Sequence, residues 1–123
     1  MILVDSSVWV AHLRAADPVL VGLLQEGGVL VHPLVAGELA LGNLKSRTAF
    51  LDALRQMPMA TSATDAEVLD FVERYRLYGR GIGHVDAHLL AAARLTVGAR
   101  LWTQDQRLSS AARDLGLEFE PAL

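Results

Sequence analysis

Three short apolar runs stand far apart along this chain: Ile2-Leu3-Val4, Val29-Leu30-Val31 and Leu101-Trp102. Each is bounded by turn or cap residues, the habit of buried parallel strands. Between them lie helical signals. Asp17-Pro18 reads as an N-cap with proline at the first helical position, and Gly27-Gly28 closes the helix begun there. Thr64 and Glu67 have capping-box spacing, after which Val68, Phe71, Val72 and Tyr75 recur on one helical face. Val85, Leu89, Ala92 and Ala93 form an apolar stripe before the Trp102 run; Leu108, Ala111, Ala112 and Leu115 form another, closed by Gly116. Strands alternating with helices predict an α/β fold, a parallel-stranded central sheet flanked by helices on both faces. Leu117-Glu118-Phe119 reads as a last strand and Met57 to Thr61 as a further candidate. No internal repeat, linker or low-complexity tract interrupts the pattern, so residues 1–123 read as a single domain.

Composition narrows the chemistry. Apolar residues make up 52% of the 123 and charged residues 20%, which suits a dense core and excludes intrinsic disorder. With 0 Cys, disulfides, iron–sulfur clusters, thiolate zinc sites and cysteine nucleophiles are all excluded. The net charge of −3 supplies no global attraction to nucleic acid, so any such contact needs a local patch. The N-terminus lacks a basic signal-like region and meets Asp5 at once. The longest stretch free of Asp, Glu, Lys and Arg, Gly27 to Gly37, is too short to span a bilayer and contains Pro33. A soluble, cytoplasmic protein is expected.

In open parallel sheets ligands bind beyond the carboxyl ends of the strands. Asp5 directly follows the first apolar run, and Asp105 comes shortly after the Trp102 run. Asp86 starts a helix behind the flexible loop Gly79-Arg80-Gly81-Ile82-Gly83, and Glu38 lies inside the apolar segment Leu34 to Leu41. Asp5, Asp86 and Asp105 each have an ordinary role open to them as helix caps. Glu38 has less structural excuse, because an unpaired carboxylate on an apolar face is costly. Two carboxylates about 5 Å apart repel by roughly 3 kcal/mol at an effective dielectric near 20. A cluster of four must therefore bind protons or a cation. All-oxygen ligands favour a hard ion, Mg²⁺ or Mn²⁺, over zinc. Metal-assisted hydrolysis of a phosphodiester is the chemistry such a set can support.

On these residues the chain resembles the PIN-domain nucleases, and among them the VapC-type toxins of bacterial toxin–antitoxin pairs. Four stretches carry the likeness: Leu3-Val4-Asp5-Ser6-Ser7-Val8-Trp9, the helix around Glu38-Leu39, Val85 to Ala93, and Leu101-Trp102-Thr103-Gln104-Asp105. The resemblance implies a PIN fold and a Mg²⁺- or Mn²⁺-dependent endoribonuclease acting on RNA. It also implies a cognate VapB-type antitoxin and a homodimer. By the same resemblance Asp5, Glu38, Asp86 and Asp105 are the catalytic acids and metal-binding set, with Asp5 and Asp86 as direct ligands. Ser6 and Thr103 match the small hydroxyl residues that support the site. Leu108 departs from the aromatic residue that many members carry after the last Asp, a difference of packing.

Other signals compete. His84 and His88, four apart, share a helix face as in a two-histidine zinc site, but two ligands are too few and Asp86 lies elsewhere on the turn. His12 and His32 read as packing or surface residues. The glycine loop lacks the spacing and preceding strand of a dinucleotide fingerprint; it suits close approach or motion. Arg74, Tyr75, Arg76, Tyr78 and Arg80 interleave charge and aromatics, which fits either RNA contact or a solvated helix with Tyr75 in the core. A haloacid-dehalogenase-type phosphatase would need Asp where Ser7 stands. A receiver domain would need a late Lys, and the only Lys is Lys45. A PIN-like module that binds RNA or a partner without cutting, and a stand-alone PIN nuclease without antitoxin, complete the alternatives. For an antitoxin, an Arg matching the acids is the natural inhibitor. Trp9, Val10, Leu13, Leu20 and Leu24 are the early-helix positions from which a docking groove or ordinary core is drawn.

Overall fold

The computed structural model describes residues 1–121, in the order β1 (Ile2–Val4), α1 (Ser6–Arg14), α2 (Pro18–Gln25), β2 (Val29–Leu30), α3 (Pro33–Ala40), α4 (Arg47–Gln56), α5 (Asp65–Tyr75), α6 (His84–Leu95), β3 (Arg100–Trp102) and α7 (Gln106–Asp114). The three strands are parallel, in the spatial order β2-β1-β3. Leu3 pairs with Leu30 on one side and Leu101 on the other, and Val4 pairs with Trp102. Successive strand residues point to opposite faces, and Leu3 and Val4 are both fully buried, so both faces of the central strand are covered. This is the α/β architecture that the alternating pattern predicts.

The helices begin where their caps stand. Asp17 Oδ1 accepts the Val19 and Leu20 N–H groups, with Pro18 at the first helical position. Thr64 and Glu67 close a reciprocal capping box at the start of α5, satisfying two backbone donors that the helix itself leaves unpaired. α3 uses an unusual cap. His32, buried at the end of the second strand's path, accepts the Leu34 N–H on Nδ1 at 3.0 Å.

The two expected outer strands shrink to single rungs. Val31 bridges Met59 and Leu101 bridges Glu118, both parallel. Pro58, having no N–H, offers the ladder only its carbonyl, which accepts from Val31. Beside the Leu117 to Phe119 segment, the Arg100 guanidinium takes the Gly116 and Glu118 carbonyls. Trp9 and Leu20, candidates for a docking groove, belong to the core, whereas Val10 and Leu13 are exposed. Leu24 packs against the core, half-buried. Among the described residues no single helix is long and apolar enough to cross a membrane.

Candidate active site

The carboxyl end of β1 delivers Asp5 directly into the N-cap of α1, where Oδ1 accepts the Ser6 N–H at 2.7 Å. The carboxylate is almost wholly buried, only 6% exposed, so its remaining partners must come from the protein. Oδ2 receives two hydroxyls, Thr103 Oγ1 at 2.7 Å and Ser7 Oγ at 2.8 Å. Thr103 meets Asp5 because β3 pairs with β1 in register, so the residues just past Val4 and Trp102 lie side by side. Its Oγ1 also accepts the Asp105 N–H at 3.0 Å, while Ser7 Oγ accepts the Gln104 N–H at 3.0 Å. One hydroxyl thus ties two of the acids together. Ser6 Oγ lies 3.4 Å from Asp5 Oδ1, a long contact.

Capping and clustering are not alternatives here. Asp105 caps α7 by accepting the Leu108 N–H at 3.0 Å. Asp86 reaches back from the first turn of α6 to the Gly83 N–H at 3.0 Å. Asp5, Asp86 and Asp105 thus sit at helix starts, where the backbone N–H groups favour negative charge, whereas Glu38 lies near the end of α3. They nevertheless feel one another. The Asp86 carboxyl is raised above its ordinary pKa by desolvation and by the charges of Asp5 and Asp105, against the opposing Gly83 bond. Glu38, on the exposed side of α3, is raised by partial desolvation and by Asp5 and Asp86, with the Ser6 hydroxyl offsetting part of the rise. No Lys, Arg or His lies within salt-bridge distance of any of the four among the described residues.

The four are coupled but not crowded. No three of them bring oxygens within 4.8 Å of one another; among the described residues the trio that does is Asp65, His84 and His88. Repulsion is therefore below that of a tight cluster. The spread suits a hydrated Mg²⁺ or Mn²⁺, which keeps several waters and takes only one or two carboxylates directly. Of the two Asp5 oxygens, Oδ2 carries the Thr103 and Ser7 hydroxyls at short range, whereas Oδ1 carries the Ser6 N–H and only the long 3.4 Å Ser6 hydroxyl contact, the weaker of its bonds for an ion to displace. The residues present fit the ion.

Beside Ser6 and Glu38 opens a cavity of 520 Å³, walled by Val10, Leu13, Leu39 and Leu44, with Arg14 and Lys45 among its lining. On the other flank, Gly81 at φ +77° lets the glycine loop pass close under Arg107, and Arg80 pins the loop to α7 through Asp114 at 2.8 Å and Ser110. The Arg/Tyr segment is partly spent on packing. The Arg74 and Arg94 guanidiniums lie 5.6 and 5.2 Å from the Tyr75 ring centroid, while Tyr78 is exposed.

Sequence reasoning passed over two residues. Ser7 served only to argue against a phosphatase, yet it donates to Asp5; its place two residues after the strand-end acid was the available signal. Asp65 supplies the third group beside His84 and His88, and nothing in the local sequence points to it.

A parallel sheet with unpaired carboxylates at its carboxyl edge, Asp5 held by hydroxyls from two elements, is the arrangement of a PIN domain. The family model for the PIN domain matches residues 2–114, and the chain belongs to that family. Over 117 residues it is 52% identical to the protein named Ribonuclease VapC32 from Mycobacterium tuberculosis, in strains CDC 1551 / Oshkosh and ATCC 25618 / H37Rv. The match covers 95% of this chain and 94% of the relative. The crystal structure of PAE2754 from Pyrobaculum aerophilum is similar in fold, with a TM-score of 0.61 at 22% identity, over 89% of this chain and 78% of that one.

Proposed function

We propose that this chain is a divalent-metal-dependent endoribonuclease and the toxin of a toxin–antitoxin pair. Ribonuclease activity is supported by 52% identity, over nearly the full length of both chains, to proteins named Ribonuclease VapC32. The observation that carries the metal dependence is a set of four carboxylates with no salt-bridge partner among the described residues, one of them buried, in which Glu38 feels the charges of Asp5 and Asp86, and Asp86 those of Asp5 and Asp105. Asp5 and Asp86 hold the ion, Mg²⁺ or Mn²⁺, and Glu38 and Asp105 complete its surroundings. When bound, the ion lowers the pKa of a water and neutralises charge on the phosphodiester. Ser7, Thr103 and the Ser6 N–H orient the Asp5 carboxylate. Glu38, whose carboxyl is raised by desolvation and then by the charges of Asp5 and Asp86, is the acid suited to take a proton from the attacking water.

RNA is the substrate class by similarity to the ribonuclease relatives, and the cavity beside Glu38, with apolar walls and Arg14 and Lys45 in its lining, has the chemistry to take a base and a phosphate. A VapB-type antitoxin is the expected inhibitor, its arginine competing with metal for the acids, and the toxin is expected to work as a homodimer in the cytoplasm. The test is cleavage of total RNA by the purified protein, with end mapping, in Mg²⁺, in Mn²⁺ and in chelator. Cleavage should need the ion and vanish in Asp5→Asn, which keeps the cap but loses the charge. Wild-type rates in that variant would refute the site. Co-expression with the product of the adjacent upstream gene tests the pairing; a product that neither binds nor inhibits leaves a stand-alone nuclease.

A further inference from the structure

We propose that Asp65, His84 and His88 form a second metal site, for a zinc-class divalent ion, independent of the acidic site. Sequence spacing alone supplies two imidazoles one turn apart on α6; the tertiary fold adds a carboxylate from the first residue of α5. Asp65 Oδ1 lies 2.9 Å from His88 Nε2 and 3.6 Å from His84 Nε2, and the three donor atoms all fall within 4.8 Å of one another. Tetrahedral zinc, with bonds of about 2.0–2.1 Å, sets its donors about 3.3 Å apart. The His84 separation already approaches that value, and the His88 separation needs to open by about half an ångström.

The donors are held rather than merely near. His88 is buried, its side chain 8% exposed, and its ring stands edge-on to His84 with centroids 4.7 Å apart. Asp65 directly follows the Thr64 cap, whose capping box fixes the start of α5. The side chains of His84 and Asp65 are 60% and 85% exposed, so solvent can fill a fourth position and the ion has a path in. His88 Nδ1 is buried without a hydrogen-bond partner. Metal binding would replace the Nε2–H bond to Asp65 Oδ1 with a bond to the ion and leave the ring proton on the buried Nδ1.

Two features separate this trio from the acids. Residues two apart on a helix are about 200° apart around its axis, so Asp86 projects from the side of α6 opposite His84 and His88. The donor chemistry differs as well: imidazole nitrogens select zinc, cobalt or nickel, whereas an all-oxygen set suits magnesium or manganese. A zinc-class ion here would clamp the start of α5 onto the helix that carries Asp86 on its far side.

The experiment uses the full chain, stripped with chelator, and titrates Zn²⁺ by calorimetry in excess Mg²⁺, with Co²⁺ as a visible-absorption probe of four-coordinate geometry. One zinc per chain is expected. His84→Ala and Asp65→Asn, both at exposed positions, should each weaken zinc at least tenfold with unchanged circular dichroism. The Asp5→Asn/Asp86→Asn double variant should retain it. Zinc affinity unmoved by both single variants, or lost in the double variant alone, would overturn the proposal, as would no zinc binding at all.

Discussion

Thr103→Val removes one hydroxyl while keeping nearly the same shape, and the structure sets what that should cost. The hydroxyl donates to Asp5 Oδ2 at 2.7 Å and accepts from the Asp105 N–H at 3.0 Å. Hydrogen bonds to a charged group contribute about 1.5–3 kcal/mol, and water cannot readily replace this one because Asp5 is 6% exposed. Ser7 Oγ remains on the same oxygen, and the Asp105 N–H lies at an exposed position where water can reach it. The lower half of the range, about 2 kcal/mol, is therefore expected. For a domain of this size that corresponds to a melting temperature lower by about 6–10 °C. If Asp5 holds the metal as proposed, losing an orienting bond to it should also cost about 10- to 100-fold in metal affinity or activity. Denaturant melts give the first number; cleavage rates across a Mg²⁺ titration give the second. Thr103→Ser should restore most of both. A Thr103→Val protein within about 0.5 kcal/mol of wild type, with unchanged metal dependence, would refute the idea that this hydroxyl links the acids.

Millimolar Mg²⁺ or Mn²⁺ should raise the melting temperature, by the equivalent of about 2.7 kcal/mol at a hundredfold excess over Kd; an identical melt with and without ion across a wide concentration range would count against the acidic site. Asp86 has a raised pKa in the folded state, so its contribution to stability is present while it is protonated and is lost as pH rises through that value. In chelator, Asp86→Asn should thus melt above wild type at pH 7, and the gap should close on acidification into the carboxylate range; a pH-independent gap would contradict the coupling. Gly81→Ala should destabilise by about 1–2 kcal/mol, because φ is +77° there and the added Cβ would meet Arg107 at 2.8 Å. Gly22→Ala, mid-helix with open space around the new methyl, should instead stabilise by about 0.5–1 kcal/mol, and paired urea melts of the two variants check both signs.

Much of the fold was legible because it is written in short-range chemistry. Asp17-Pro18, the Thr64/Glu67 box and Asp105 all act within three residues of themselves, so cap and helix could be read together. The apolar runs marked all three strands, because the stretches buried on both faces are apolar at either parity, with only Arg100 exposed at the start of β3. The outer segments at Met57 and Leu117 carry the same apolar signal but make a single rung apiece: the missing N–H at Pro58 is readable locally, whereas the Gly116 and Glu118 carbonyls accepting from Arg100 are not.

Three of the acids were visible at strand and helix ends and Glu38 inside an apolar segment, and the bland expectation that the three cap helices was correct for Asp5 and Asp105 as N-caps and for Asp86 through its bond to the Gly83 N–H. Sequence by itself determined the alternating architecture, the caps and the supply of carboxylates near the sheet's edge. Only the tertiary structure decided who meets whom. The pairing of Val4 with Trp102 brings Thr103 to Asp5 across 98 positions, and the packing of α5 on α6 brings Asp65 to His88 across 23. Caps and periodicities act within a turn or two of chain, whereas these encounters are set by sheet register and helix packing, which depend on the whole core at once.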